Sequence, residues 1–164
     1  MPSEKEQFLK TWEQEHATTA KVMAAIPEGK LDFKPHEKSM SARVLAWHFV
    51  NAERFFVESC LAGKIEPRPD VPPPATLKEI LVTYDRQYRE LAGKLKGADG
   101  RQLDRLIQIP VGPKQMGEVP ALGILWMGVV MHCCHHRGQL SVYLRLMGAK
   151  VPSIYGPSAD EPWW

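Results

Sequence analysis

Cysteine is scarce in this chain: there are three in 164 residues, and two of them, Cys133 and Cys134, are adjacent. Three cysteines are too few for the disulfide framework that supports a small secreted protein. The first residues are charged and no apolar run follows them, so we expect no secretory signal. These absences favour a reducing, cytoplasmic setting.

The chain also lacks an excess of one charge and a long apolar run. Basic and acidic residues nearly balance, at 21 and 19, which leaves a formal net charge of +2. A nucleic-acid-binding protein typically carries a strongly basic face, so we predict no such partner. The longest apolar run, 121–131, has about half of the ~20 residues that span a bilayer, which excludes a transmembrane helix there.

Four segments have the apolar periodicity of amphipathic helices. Ser3 with Glu6, and Thr76 with Glu79, have the spacing of capping boxes, in which the first side chain and the third helical residue cap each other's backbone N–H groups. We therefore predict helix starts at these two places. The predicted helices cover about 4–26, 39 or 41 to 61, 76–96 and 120–147.

Local signals also mark the other helix ends. Ser39 or Ser41 is suited to cap the second helix, and Pro120 is acceptable in the first turn of the fourth. Gly63 and Gly148 stand where left-handed C-caps are expected. Between the third and fourth helices we predict irregular structure, with one short extended piece at 106–111.

Long connections separate the helices. The segment 65–75 contains five prolines and is expected to be extended and semi-rigid. Short loops join antiparallel neighbours, whereas long ones permit a crossover. We therefore predict an all-α fold, a four-helix bundle with long crossover connections, as a single domain over residues 1–164.

The fourth predicted helix carries the densest cluster of metal-ligand side chains. His132 and His136 are four residues apart and lie on one face of a helix, so both could reach one metal ion. They share the apolar stripe of Leu122, Leu125, Val129 and Tyr143. His135 fits that stripe less well, although it could pair with His132 at a spacing of three. We favour His132 and His136 and keep His135 in reserve.

His48 is the natural third ligand. It lies on the apolar face of the second predicted helix, at helical spacing from Leu45, Ala52 and Phe55. Three imidazoles from two helices leave coordination positions open, as in catalytic metal sites. The simpler alternative is that His48 is a hydrogen-bonded core histidine, and spacing alone leaves both readings open.

Other polar residues near these histidines have structural interpretations. Cys133 and Cys134 are expected to pack as small apolar groups, and Cys60 is expected to be structural. Arg137 could bind an acidic group of a substrate, but the favoured role is a salt link to the tail, at Asp160 or Glu161.

Gln139 could donate a hydrogen bond to a ligand histidine and so help to orient its ring. Large aromatics dominate the cores of helical bundles. We therefore expect Trp47, Trp126 and Tyr143 to pack in the core.

The sequence resembles the DinB-like family of the DinB/YfiT-like metalloenzyme superfamily. The run from His132 to Leu140 and the tail at 143–161 carry the resemblance, which extends upstream to 31–36 and 41–48. It implies a four-helix bundle with a crossover, pairing as a homodimer, and a metal triad at His48, His132 and His136. Zinc, nickel or iron is the implied metal.

The same resemblance suggests a reaction. Characterised relatives include thiol S-transferases that use low-molecular-weight thiols, and a thiol-dependent isomerase. A metal with an open position can activate a thiol, but it can equally activate water for hydrolysis. The sequence leaves three functions open: a thiol-dependent transferase, a metal-dependent hydrolase, and a non-catalytic metal-binding stress or accessory protein.

Overall fold

The computed structural model describes residues 1–69 and 71–164, and its framework is four long helical segments. Three are regular α-helices: α1 (Glu4–Ala24), α2 (Ala42–Ala62) and α3 (Leu77–Gly97). The fourth consists of α5 (Ala121–Leu125), a π-helical segment (Trp126–Met131) and α6 (His132–Leu146). Between α3 and α5 lie a short helix, α4 (Gly100–Asp104), and two strands, β1 (Leu106–Gly112) and β2 (Gln115–Pro120). A 3₁₀ turn is present at Glu28–Lys30.

Local capping signals correctly predicted where the first three helices begin. Ser3 and Glu6 form a capping box at the start of α1. Thr76 forms one with Glu79 at the start of α3. Of the two candidate caps for α2, the structure uses Ser41, whose hydroxyl accepts from a backbone N–H in the first turn. These three starts are confirmed.

Two glycines end helices in the left-handed conformation, as predicted. Gly63 follows α2 with φ 76°, and Gly148 follows α6 with φ 74°. Glycine adopts this conformation at no steric cost because it lacks a Cβ. Helix α1 ends at Ala24, slightly earlier than predicted.

The connectivity is that of a crossover bundle. Helix α1 packs against α3 and α6, and α2 packs against the same two helices. Within the described residues, consecutive helices α1 and α2 therefore lie across the bundle from each other. The predicted four-helix bundle with long connections is confirmed. The connection from α1 to α2 crosses the bundle, whereas α2 and α3, which follow each other in the chain, are neighbours.

The hairpin is one part of the fold that the sequence did not predict. One extended piece at 106–111 was expected, but β1 pairs with a second antiparallel strand, β2, in a register that sets Ile107 opposite Val119. β1 has an inward-pointing pair, Ile107 and Ile109, which are buried. The sequence of β2 shows only a weak alternation of apolar and polar residues, because Gly117 and Glu118 lie at its centre. Its pairing with β1 makes it a strand.

The fourth helix is not the uninterrupted α-helix that was predicted. Residues 126–131 form a π-helical segment directly before His132. A π turn contains more residues than an α turn, so the side chains after it are rotated relative to a continuous α-helix. Beyond the segment, Cys133, Leu140 and Leu144 face the core, while His132 lies half-buried beside them.

Gly128 has a packing role in the π segment. The ring of Phe56, from α2, occupies the space that a Cβ on Gly128 would fill. The Phe56 ring in turn lies edge-on to the His132 ring, at 5.8 Å between centroids. Close contact between α2 and the π segment therefore requires a residue without a side chain at this position.

We expect Gly128→Ala to destabilise the fold by about 1–3 kcal/mol, because the added methyl group overpacks the Phe56 contact. Urea unfolding followed by circular dichroism measures this loss. Gly138→Ala is the matched control, since nothing lies within 4 Å of a Cβ at that helical position. It should leave stability unchanged or raise it by about 0.5–1 kcal/mol. Equal losses in both variants would contradict the packing role of Gly128.

The core is mainly apolar and consists of two clusters of buried side chains. One cluster of buried side chains includes Phe8, Trp12 and Leu95 and extends to the hairpin and α5. A second includes Leu45, Phe49 and Leu140 and joins α2 to α6. No helix in the described parts of the chain is sufficiently long and apolar to cross a membrane.

Candidate metal centre

Three histidines converge where α2 faces the beginning of α6. One ring nitrogen from each of His48, His132 and His136 lies within 4.8 Å of the other two. The Nε2 atoms of His48 and His132 are 2.8 Å apart. These are the three residues that the sequence analysis brought together. His135, the reserve candidate, is exposed and is not a member of this group among the described residues.

Packed aromatic rings restrict two of the three imidazoles. Phe56 lies edge-on to His132, and Phe49 lies edge-on to His136 at 6.4 Å between centroids. Both phenylalanines belong to α2, the helix that carries His48. The histidines of α6 are therefore oriented by the same helix that supplies the third ring.

Gln139 supports His136 from the side away from the cluster. Its Oε1 lies 2.8 Å from His136 Nδ1, and its Nε2 lies 3.1 Å from His135 Nε2. When Nδ1 carries the proton and donates it to Oε1, Nε2 is left as a lone-pair donor facing the other histidines. The predicted contact exists, but Gln139 accepts from His136 and does not donate to it.

The environment of the two α6 histidines disfavours their charged forms. Burial, together with the charges that the neighbouring His136 and His48 can carry, lowers the pKa of His132 to about 4. Burial also lowers the pKa of His136. A neutral imidazole is the form that binds a metal, so the donor set fits a divalent ion that accepts nitrogen ligands.

A cleft of about 720 Å³ opens beside His48 and His132. One wall is formed by Pro67, Arg68, Pro69 and Val71, which follow α2 in the chain. The Trp47 indole N–H donates to the Val71 carbonyl at 2.6 Å. The other wall is α2 itself. Apart from the two histidines, the cleft is lined by apolar Ala52, Phe55, Phe56, Pro67, Pro69 and Val71 and by polar Asn51, Arg54, Glu58 and Arg68.

The polar residues of this cleft were missed by the sequence analysis. Asn51 follows His48 by three residues, so helical spacing alone was a signal that the two share a face. Arg54 and Glu58 lie further along the same helix. The opposite wall had no such signal, because its position depends on how a long connection folds back.

Arg137 does not pair with the tail, and the prediction of a link to Asp160 or Glu161 is wrong. Arg137 is fully buried and pairs with Glu15 of α1. Its guanidinium also donates to the Thr19 hydroxyl at 3.0 Å. Arg137 projects from the buried side of α6 toward α1, and its contact with the tail is a hydrogen bond to the Tyr155 hydroxyl, not an ion pair.

The two acidic residues of the tail have other partners. Asp160 pairs with Arg145 near the end of α6, and it also accepts from the Val151 backbone N–H at 2.8 Å. Glu161 pairs with Lys21 of α1. The acidic residues of the tail therefore pair with Arg145 and Lys21, whereas the buried Arg137 contacts the tail through the Tyr155 hydroxyl.

Two of the cysteines are buried, as expected for structural thiols. Burial raises the pKa of Cys60 to about 12 and raises that of Cys133 well above its ordinary value. Cys134 differs from the expectation, because it is half-buried and its Sγ lies 2.6 Å from the Tyr155 hydroxyl. Tyr143 donates to the Met40 carbonyl at 3.1 Å, so it packs in the core as predicted.

Fold and geometry together define a class of protein: a crossover four-helix bundle with a three-histidine cluster suited to a divalent metal ion. The chain belongs to the DinB family, whose family model matches residues 1–163. The resemblance seen in the sequence is thereby confirmed.

Individual relatives agree with this assignment. The chain is 29% identical over 154 residues to the uncharacterized protein YrdA of Bacillus subtilis strain 168, a match covering 94% of this chain and 89% of YrdA. YfiT from Bacillus subtilis, described as a probable metal-dependent hydrolase with an unusual four-helix bundle topology, has a TM-score of 0.69 at 16% identity, covering 92% of this chain and 91% of YfiT. The mycothiol-dependent maleylpyruvate isomerase has a TM-score of 0.53 at 13% identity, covering 94% of this chain and 66% of the isomerase. At these identities, the two solved structures support the fold alone.

Proposed function

We propose that this chain is a metal-dependent enzyme in which His48, His132 and His136 hold a divalent ion, and that its reaction uses a low-molecular-weight thiol. The observation that supports the proposal is the position of the cluster: three imidazoles meet, and two of them, His48 and His132, line a cleft of about 720 Å³. A purely structural site is typically closed by protein ligands and has no need of such a cleft.

The three imidazoles have a defined chemical use. A divalent ion on three neutral histidines would supply Lewis acidity and open positions, where a bound thiol or water has a lowered pKa. The residues of this chain bind and orient: Gln139 sets the tautomer of His136, while Phe49 and Phe56 restrict the rings. Imidazole ligands suit zinc, nickel and iron, the three metals that we propose as candidates.

Two observations on relatives bear on the reaction. The thiol reading is supported by the family resemblance and by the mycothiol-dependent isomerase, which shares the fold. Hydrolysis is the second candidate, since YfiT is described as a probable metal-dependent hydrolase. A metal-binding protein without catalysis is the third, and the open cleft is the feature that argues against it.

A panel of small substrates tests the proposed reaction. Metal-loaded protein is incubated with several cellular thiols and a model electrophile, and in parallel with activated esters and amides in the absence of thiol. We expect thiol-dependent consumption of the electrophile that is abolished by a chelator and restored by adding back metal. Turnover of the esters without thiol would favour hydrolysis, and no turnover in either arm would overturn the enzymatic proposal.

We expect Gln139→Ala to weaken metal binding by about 10–100-fold, because outer partners of ligand histidines typically contribute that much to metal affinity. The variant removes the acceptor that lies 2.8 Å from His136 Nδ1. Competition with a chromophoric chelator measures the dissociation constant. Gln139→Glu keeps an oxygen acceptor at this position and should lose far less affinity. An unchanged constant in Gln139→Ala would show that the contact does not orient His136.

Two further expectations stay predictions. The family resemblance implies that two copies pair as a homodimer, which sedimentation equilibrium would test. The low cysteine content predicts a cytoplasmic setting, which fractionation of the source cells would test.

A further inference from the structure

Two arginines line the cleft beside the histidine cluster, and their surroundings differ. Arg68 is paired with Glu58, so its charge is compensated within the cleft. Arg54 contacts Gln87 of α3, which accepts a hydrogen bond from Arg54 Nε at 2.8 Å. In the part of the chain that the structure describes, Arg54 makes no ion pair with a carboxylate.

Gln87 fixes the guanidinium group of Arg54. It is only 2% exposed, and its own Nε2 donates to the Val50 carbonyl at 2.7 Å, so both ends of the amide are engaged. An arginine held through Nε keeps its two terminal nitrogens in a fixed plane. Such a fork matches a carboxylate, which can accept two parallel hydrogen bonds from it.

The rest of the cleft sets the shape of a ligand that could use this fork. Its walls are largely apolar, with Phe55, Phe56 and the prolines of the opposite segment. Among the residues that line the cleft, the charges of Arg68 and Glu58 cancel, so Arg54 leaves an excess of positive charge. Glu90 is close enough to Arg54 for their charges to interact, but its carboxylate is already paired with Lys94. A cleft of about 720 Å³ lies within the range that holds a small organic ligand.

We propose that Arg54 is a substrate-binding residue, and that the cleft takes a small molecule with an apolar body and a carboxylate, which pairs with the Arg54 guanidinium. The inference rests on the proposed function only in identifying this ligand as the substrate. Gln87 is a positioning residue, because it acts through Arg54.

Matched acids and amides test the inference directly. The probes are phenylacetate, 4-phenylbutanoate and octanoate, each compared with its uncharged amide, and binding to metal-loaded protein is followed by NMR shifts and titration calorimetry. We expect at least one acid to bind about tenfold or more tightly than its amide, as one charge-assisted hydrogen-bonded pair implies. Arg54→Gln should abolish this preference while leaving the affinity for the amide unchanged.

Two control variants separate the contributions. The double variant Glu58→Gln/Arg68→Gln should keep the preference for the acid, since it removes two charges that cancel each other. Gln87→Leu should reduce the preference without changing the affinity for the amide, a readout that a general loss of structure would not produce. Arg54→Lys, which keeps the charge but lacks the fork, should restore the preference only in part.

The outcomes also separate this inference from the metal proposal. An acid could bind the metal and not Arg54, so each titration is repeated on chelator-treated protein. A preference that survives in Arg54→Gln, equal binding of acid and amide, or no saturable binding of any probe overturns the inference. A protein that prefers acids through Arg54 but retains no metal would instead overturn the proposed function and leave the binding site standing.

Discussion

His136→Ala is expected to reduce the bound metal from about one ion per chain to less than about a tenth of that, because it leaves two imidazoles where an open site needs three protein ligands. His136 is the most buried member of the cluster, and its Nε2 is directed by the Gln139 contact. His48→Ala should have the same effect, although it removes a ligand from a different helix. Elemental analysis of protein purified without an affinity tag measures the metal content.

His135→Ala is the control for this experiment. His135 stands next to His136 in the sequence but is exposed and outside the cluster. Its removal should leave the metal content unchanged. If His135→Ala loses the metal and His136→Ala keeps it, then the assignment of ligands by geometry is wrong. If the unaltered protein itself holds less than about a tenth of an ion per chain, then the metal proposal fails.

Arg137→Ala is expected to destabilise the fold by about 3–5 kcal/mol, because it leaves the Glu15 carboxylate partly buried without its partner. Arg137 is fully buried and donates to the Glu15 carboxylate, the Glu15 backbone carbonyl at 3.1 Å and the Tyr155 hydroxyl. These contacts join α6, α1 and the tail at one point. Urea unfolding measures the change in the free energy of unfolding.

Arg145→Ala is the matched control from the same helix. Arg145 pairs with Asp160, but its side chain is 52% exposed, so its loss should cost less than about 1 kcal/mol. The double variant Glu15→Leu/Arg137→Met should recover much of the stability, since removing both charges leaves no unpaired group in the interior. A similar, small loss for Arg137→Ala and Arg145→Ala would show that burial does not strengthen the Glu15 pair.

The candidate ligands were the part of the site most accessible to sequence reasoning. His132 and His136 share a helix, so their separation follows from helical geometry whatever the rest of the chain does. His48 was found because it interrupts an apolar stripe that must face the core. The structure brings the three together, and whether they bind a metal stays a prediction until metal is measured.

The π segment did not change which two histidines of this helix come together, although a regular α-helix was predicted there. A continuous α-helix was assumed from Pro120 onward, yet residues 126–131 widen into π turns. The spacing of His132 and His136 was unaffected because both lie beyond that segment, within α6. The core-facing position of Cys133 depends on the rotation, and the sequence carried no clear signal for it.

The sequence by itself predicted where the first three helices begin, which glycines end helices and which three histidines come together. Capping, left-handed turns and helical periodicity each depend on residues within a few positions of one another. Only the tertiary structure decided that β2 pairs with β1, that Arg137 pairs with Glu15 and that Arg54 stands over an apolar cleft. Each of those contacts joins separate elements of the fold. Their geometry depends on how the helices and connections pack, which no local pattern specifies.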